Sequence, residues 1–220
     1  MNDREWALRC APAVRFDLAE TIPLRAVGYA VLRESGRSPS FDREITVPAG
    51  AECVIEYQYY WDYDIQHMYD LEHIWVTVGR GGEVLEAEAS FHGAYFALWN
   101  PELPFASAPV DGHVQACCQP GKHAFLPSGE LFRLKPDWRR CCQEEAGGGV
   151  LVGGPFQHVY QPTEAENALS IRHIREALTF EPTLRFEGEM AASVPYLPWA
   201  ELAALIPQWL RQELDRLANE

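Results

Sequence analysis

Three stretches between residues 52 and 91 limit what this chain can fold into more than any other feature. Glu52–Tyr63 is dense in Val, Ile, Tyr and Trp, Leu71–Val78 repeats that character, and Val84–Phe91 follows across Gly79-Arg-Gly-Gly82. β-branched and aromatic side chains suit a pleated, half-buried surface. A glycine-rich break between two such runs reads as a hairpin turn. Shorter runs of the same kind stand at Ala13–Phe16, Ala26–Leu32 and His113–Cys118, the last closed by Pro120-Gly121, and Pro48-Ala-Gly50 marks a turn. Closely spaced strands with turn signals between them predict a mainly β protein, an antiparallel β-sandwich of jelly-roll type.

The C-terminal third is expected to add helices. Thr163-Glu-Ala-Glu166 is a capping box ahead of Leu169, Ile171, Ile174 and Leu178, which predicts a helix around 164–178. A second is expected around 198–218. Pro198 opens it, Pro207 should break or restart it, and Trp209, Leu210, Leu214 and Leu217 form an apolar face. Residues 138–149, with Gly147-Gly-Gly149, read as a loop, so residues 1–220 are read as one domain.

Charge excludes some roles. The chain carries 32 acidic against 18 basic residues, a net charge of −14, and its only lysines are Lys122 and Lys135. A nucleic-acid binder gains affinity by placing Lys and Arg on phosphates, so nucleic acid is not an expected partner. No run of apolar residues is long enough for a transmembrane segment. The N-terminus Met1-Asn-Asp-Arg-Glu-Trp6 lacks the apolar run of a secretory signal, so a cytoplasmic location is expected. Six cysteines, Cys10, Cys53 and the adjacent pairs Cys117–Cys118 and Cys141–Cys142, are then expected as reduced thiols, with a thiolate metal site joining the pairs as the alternative.

The stretch Tyr59–Val78 carries the chemistry. In a strand beginning near Asp70, side chains alternate, so Asp70 and Glu72 share a face with Ile74, Val76 and Val78. Carboxylates on an apolar face require a cation, a basic partner or protonation. Glu56, Asp62 and Asp64 share a face of the preceding strand, and His67 sits in the turn between the two. The expected metal ligands are therefore His67, Asp70 and Glu72. Hard oxygens with one imidazole suit Mg²⁺, Ca²⁺ or Mn²⁺ better than Zn²⁺. His73 points to the opposite face. His92, before Gly93, and His123, after the Pro120-Gly121 turn, are candidates for catalytic roles.

These residues resemble a known group. Asp70-Leu-Glu-His-Ile-Trp-Val-Thr-Val78 resembles the Asp-Trp-Glu-His core of the necrosis-inducing NPP1-like proteins and the Vps62-like domains, and His67-x-x-Asp70-x-Glu72 has the ligand spacing of the necrosis-inducing motif. Ala11–Asp17 with Glu20 and Pro23 is similar to the N-terminal pattern of the Vps62-like group, Ala89–Gly93 to its Ser-x-His-Gly element, and Gly121-Lys-His-Ala124 to its Gly-Ser-His-Ala element. The resemblance spans roughly residues 10–127 and departs at Gln66, Tyr69 and Leu71, where the motif has Gly, His and Trp. It implies a β-sandwich holding a divalent cation through His67, Asp70, Glu72 and an upstream acid, either Asp62 or Asp64, both of which are further candidate ligands. In the necrosis-inducing proteins that cation helps engage sugar headgroups of membrane lipids. The reading is a metal-binding protein that takes a sugar or phosphate-bearing small molecule or glycan. The alternatives are a metal-dependent hydrolase of the phosphoesterase kind and a scaffold whose carboxylates pair with Arg.

Overall fold

The computed structural model describes residues 1–103, 106–189 and 194–220. Among the described residues twelve strands follow one another: β1 (Ala13–Asp17), β2 (Ala26–Leu32), β3 (Gly36–Arg37), β4 (Glu44–Ile45), β5 (Ala51–Tyr63), β6 (Met68–Gly79), β7 (Val84–Phe91), β8 (Ala94–Trp99), β9 (Gln115–Cys118), β10 (Phe125–Leu126), β11 (Phe186–Glu189) and β12 (Tyr196–Pro198). The helices are α1 (Asp3–Arg9), α2 (Glu164–His173), which runs on as a π-helical turn over Ile174–Leu178, and α3 (Trp199–Ala218).

Two sheets face each other. The larger has the order β12-β2-β5-β6-β7-β8 and the smaller β10-β9-β1-β11. Strict alternation along β5 sends Tyr57, Tyr59 and Trp61 inward, and along β6 it sends Ile74, Val76 and Val78 the same way. They meet Val14 and Phe16 of β1, Ala116 and Cys118 of β9, and Phe125 of β10. Phe125 makes an edge contact with Tyr59, and Phe16 with Trp61. Burying a side chain such as Phe125 stabilises the fold by roughly 1.5–3 kcal/mol, so this shared core is what holds the layers together.

The outer face of the large sheet is also covered. Leu202 and Ile206 of α3 pack on Ala26 and Tyr60, while the β3–β4 hairpin lays Ile45 and Phe41 over Val54 and Trp75. Gly28 of β2 lets α3 approach closely, since a Cβ there would lie 2.8 Å from Leu202 Cδ2.

The mainly β sandwich agrees with the sequence expectation, with two corrections. It is not wholly antiparallel: β1 pairs with β9, and β2 with β12, in parallel. Both pairings join segments far apart in sequence, where no hairpin dictates direction. Pro207 does not break α3, which runs unbroken through it. The stripe Leu202, Ile206, Leu210, Leu214 and Leu217 is buried on both sides of the proline, and that burial outweighs the roughly 3 kcal/mol a helix-interior proline costs. Helix α1 was not anticipated; a capping box between Asn2 and Glu5 starts it. No helix among the described residues is long and apolar enough to cross a membrane.

Candidate functional site

The site lies where β7 leaves β6. Backbone pairing between them runs from Ile74↔Ala89 to Val78↔Val84, and β7 ends at Phe91, just before the His92-Gly93 hairpin tip. The first half of β6, Met68–His73, is thus left without β7 on that edge, and the segment around Gly149 to Leu151 bonds to Met68 instead. Side chains from both faces of β6 reach this gap. A cavity of about 880 Å³ opens there, with His67, Tyr69, Asp70, Glu72 and His73 in its walls beside Ser40 and Phe41.

Asp70 and Glu72 sit on the inner face of β6, 9% and 7% exposed. Asp70 Oδ2 lies 2.8 Å from His123 Nδ1, and Glu72 Oε2 accepts from the Ser90 hydroxyl. Among the described residues neither has an Arg or Lys ion-paired to it. Burial raises both above the ordinary carboxylate range. Asp70 is pushed up to about 8, first by desolvation and then by the charge of Asp64, and Glu72 rises for desolvation and the charge of Asp70. Two carboxyl groups thus share a poorly solvated wall that disfavours charging both of them.

Asp64 closes the β5–β6 turn. Its Oδ1 accepts from the backbone N–H groups of Gln66 and His67, both at 2.6 Å, and its Oδ2 takes the Lys122 ammonium. His67 stands at the cavity edge with Nδ1 3.0 Å from Tyr69 O and Nε2 3.4 Å from Asp64 Oδ2. Lys122 and His123 arrive from the small sheet on the segment Gln119–His123, so the site is built at the junction of the two sheets. Trp61 stacks flat on the His123 ring, centroids 4.2 Å apart, behind Asp70.

Of the five expected metal ligands, His67, Asp70 and Glu72 line one cavity. Asp64 lies behind them, engaged by Lys122. Asp62 does not join them. It points to the outer face of β5, where Arg25 Nη1 lies 2.6 Å from its Oδ1 and Tyr60 also donates to it. The reason is register: Asp62 alternates with the inward Trp61, and Asp64, past the end of the strand, is turned back by its own backbone bonds. No three His, Cys, Asp or Glu side chains among the described residues converge as they stand on a point that would hold a metal ion. In kind, the donors do suit a hard dication: two carboxylates on alternate residues of one strand, with an imidazole at the rim.

His92 and His123 do not line the cavity. His92 Nε2 lies 2.8 Å from Gln119 Oε1, and His123 is fully buried with its Nε2 unpartnered. Both adopt positive φ, 52° and 58°, a region non-glycine residues rarely occupy.

The cavity also holds residues that the sequence did not single out. Tyr69, at φ 77°, kinks the start of β6, and its buried hydroxyl has no protein partner. Ser40 Oγ lies between Glu56, to which it donates, and His73 Nε2 at 3.0 Å. Glu56 also takes Trp75 Nε1 and Gln58 Nε2, so this buried acid is fully bonded. The only signal for Tyr69 was its standing where the motif has His.

His73 is stacked on Trp75 and pushed down to about 4 by desolvation, with Glu56 opposing. A folded-state pKa below the unfolded value of about 6.5 means that the unfolded chain takes the proton first. Stability is therefore lost as pH falls from about 6.5 towards 4. The stability of the wild type relative to His73→Gln should shrink by about 2–3 kcal/mol between pH 7.5 and 4.5, as read by urea unfolding at both pH values. A constant difference would contradict the buried neutral imidazole.

No protein-family model matches the sequence, and no curated protein does. Solved structures do. NLPPya in complex with glucosamine is 16% identical at a TM-score of 0.37, covering 56% of this chain and 64% of that one. A structure described as a toxin fold as basis for microbial attack and plant defense is 20% identical at a TM-score of 0.37, covering 56% and 66%. Necrosis and Ethylene inducing Protein 2, from the causal agent of cocoa's Witches Broom disease, is 15% identical at a TM-score of 0.37, covering 70% and 85%. The match thus takes in less than two thirds of the length of the NLPPya chain. These necrosis-inducing proteins are the group that the 67–73 motif resembles.

Proposed function

We propose that the protein is a divalent-cation-dependent binder of a small hydroxyl- or phosphate-bearing ligand, with the ligand taken up in the cavity beside β6. The observation that carries this reading is the pair Asp70 and Glu72: two buried carboxylates on one cavity wall, without an Arg or Lys on either among the described residues. Charges so placed need a counter-charge, and the nearest ammonium, Lys122, is held by Asp64. Asp70, Glu72 and His67 would hold the cation, and an oxygen-rich set of that kind favours Mg²⁺, Ca²⁺ or Mn²⁺. When bound, the cation supplies open positions for ligand hydroxyls or phosphate oxygens. The chain's own part is to orient and desolvate. His123 fixes Asp70, and Ser90 fixes Glu72.

Binding is favoured over hydrolysis because neither His92 nor His123, the histidines expected to move protons, reaches the cavity. The scaffold alternative fits Asp62, which Arg25 neutralises; Asp70 and Glu72, without such a partner among the described residues, support the cation reading instead. Elemental analysis of protein purified without chelator, followed by thermal-shift screening of monosaccharides, amino sugars and sugar phosphates with and without EDTA, tests the reading. The expected result is a bound dication and at least one ligand shift that EDTA abolishes. Ligand shifts unchanged by EDTA would refute the role of the cation.

A further inference from the structure

Cys141 and Cys142 occupy a short 3₁₀ turn at Arg140–Cys142. Adjacent residues usually send their side chains apart, yet these sulfurs lie 3.7 Å from each other. All six cysteines are free thiols, and this pair is 1% and 0% exposed. Their environments differ. The Cys141 thiol is lowered by its hydrogen bond with Cys142, while Cys142 is raised by the same bond and by burial. Cys142 Sγ also lies 3.3 Å from Pro120 O, and a Cβ on Gly121 would stand 3.2 Å from that sulfur and 2.9 Å from Ile65 Cβ. The Pro120-Gly121 turn therefore rests directly on Cys142. Ile65 N–H donates to Gly121 O at 2.7 Å, tying the same turn to the β5–β6 connection.

We propose that Cys141–Cys142 is a reversible redox-modification site, closed to a vicinal disulfide by a peroxide-class oxidant, and that closure loosens the seat of the Pro120-Gly121 turn. The Cys141 thiolate attacks one peroxide oxygen and becomes a sulfenic acid as hydroxide leaves. The Cys142 sulfur then displaces water from that sulfenic sulfur, forming the S–S bond. Two thiols and one peroxide give one disulfide and two waters. Cα atoms joined by a trans peptide are about 3.8 Å apart, closer than the roughly 4.4–6.8 Å of an ordinary disulfide. The ring is therefore strained and readily reopened by a small thiol. Closure takes the S–H donor away from Pro120 O, and with it the contact under the turn that presents Lys122 and His123.

The test uses wild-type protein. It is treated with hydrogen peroxide, unfolded, alkylated with N-ethylmaleimide and digested. The expected fragment holding Cys141 and Cys142 is unalkylated and two hydrogens lighter, and prior incubation with reduced glutathione restores both alkylation sites. Cys117 is the one partly exposed thiol. Oxidation there while the pair carries two maleimides, or sulfinic acid in the pair, would overturn the proposal. Amide exchange supplies the second readout: Ile65 and Gly121 should exchange roughly five- to tenfold faster in the oxidised protein. Cys142→Ser keeps a donor but forms no disulfide, so its exchange should not respond to peroxide. A disulfide that leaves both amides unchanged would overturn the coupling to the turn. None of these readouts requires a cation or a ligand in the cavity.

Discussion

Chelator-stripped protein at pH 8 should melt about 5–10 °C higher when Mg²⁺, Ca²⁺ or Mn²⁺ is added at roughly a hundred times its dissociation constant. The Asp70→Asn, Glu72→Gln double variant should show no such gain. Both effects come from the two buried acids. Asp70 in the fold binds its proton up to about pH 8, whereas in the unfolded chain it gives it up near 3.8. A raised folded value means its contribution to stability is complete below about 4 and lost as pH climbs through 8. At pH 8 the metal-free wild type thus carries a penalty of a few kcal/mol for keeping these groups buried. A cation removes that penalty, and so does a neutral amide of the same shape. The double variant should accordingly be more stable than metal-free wild type at pH 8, with an advantage that shrinks as pH falls and is gone only below about 4, measured by differential scanning calorimetry. An amide variant less stable than wild type at pH 8 in EDTA would mean the acids are already neutralised within the protein, and the proposed cation would lose its basis.

Lys122→Met is expected to have the second large effect. Asp64 is 2% exposed in its side chain and has Lys122 as its ammonium partner. Removing one member of a buried pair typically costs about 3–5 kcal/mol, because the remaining charge stays buried and uncompensated. The same change releases a third carboxylate next to Asp70 and His67. The variant should therefore be strongly destabilised in EDTA and recover more on addition of Ca²⁺ or Mg²⁺ than wild type does. Urea titrations with and without the cation give both numbers. Equal recovery in the two proteins would show that Asp64 stays out of reach of the ion.

Much of this was legible in the residues because period-two alternation is a local rule. It placed Asp70 and Glu72 on the inner face of β6 and His73 on the outer one. The same rule, carried too far, grouped Asp62 with Asp64. The strand ends at Tyr63, and beyond it the orientation of Asp64 is set by backbone hydrogen bonds that no alternation encodes. Partners distant in sequence were out of reach for a different reason. That Lys122 would fall on Asp64, or Arg25 on Asp62, depends on how the two sheets dock and on which strands neighbour each other. The parallel β1–β9 and β2–β12 pairings have no turn signature between their members. Tyr69 was hidden because nothing in the local residue pattern signals a positive φ at a tyrosine. The continuity of α3 through Pro207 reflects side-chain burial on both flanks, which local propensity does not count.

The β2–β12 pairing has a consequence for how the chain is made. Val27 to Tyr29 find their outer neighbour only at residues 196–198, and Leu202 and Ile206 are what roof Ala26. During synthesis the long central hairpin β5–β6 can form early from adjacent residues, but its sheet stays open on one side until residues 196–198 have emerged. Such a topology delays final closure to a late, entropically costly step. A ribosome stalled before residue 195 would hold a nascent chain with a bare strand edge and an unroofed apolar face, the two features chaperones recognise and aggregation exploits.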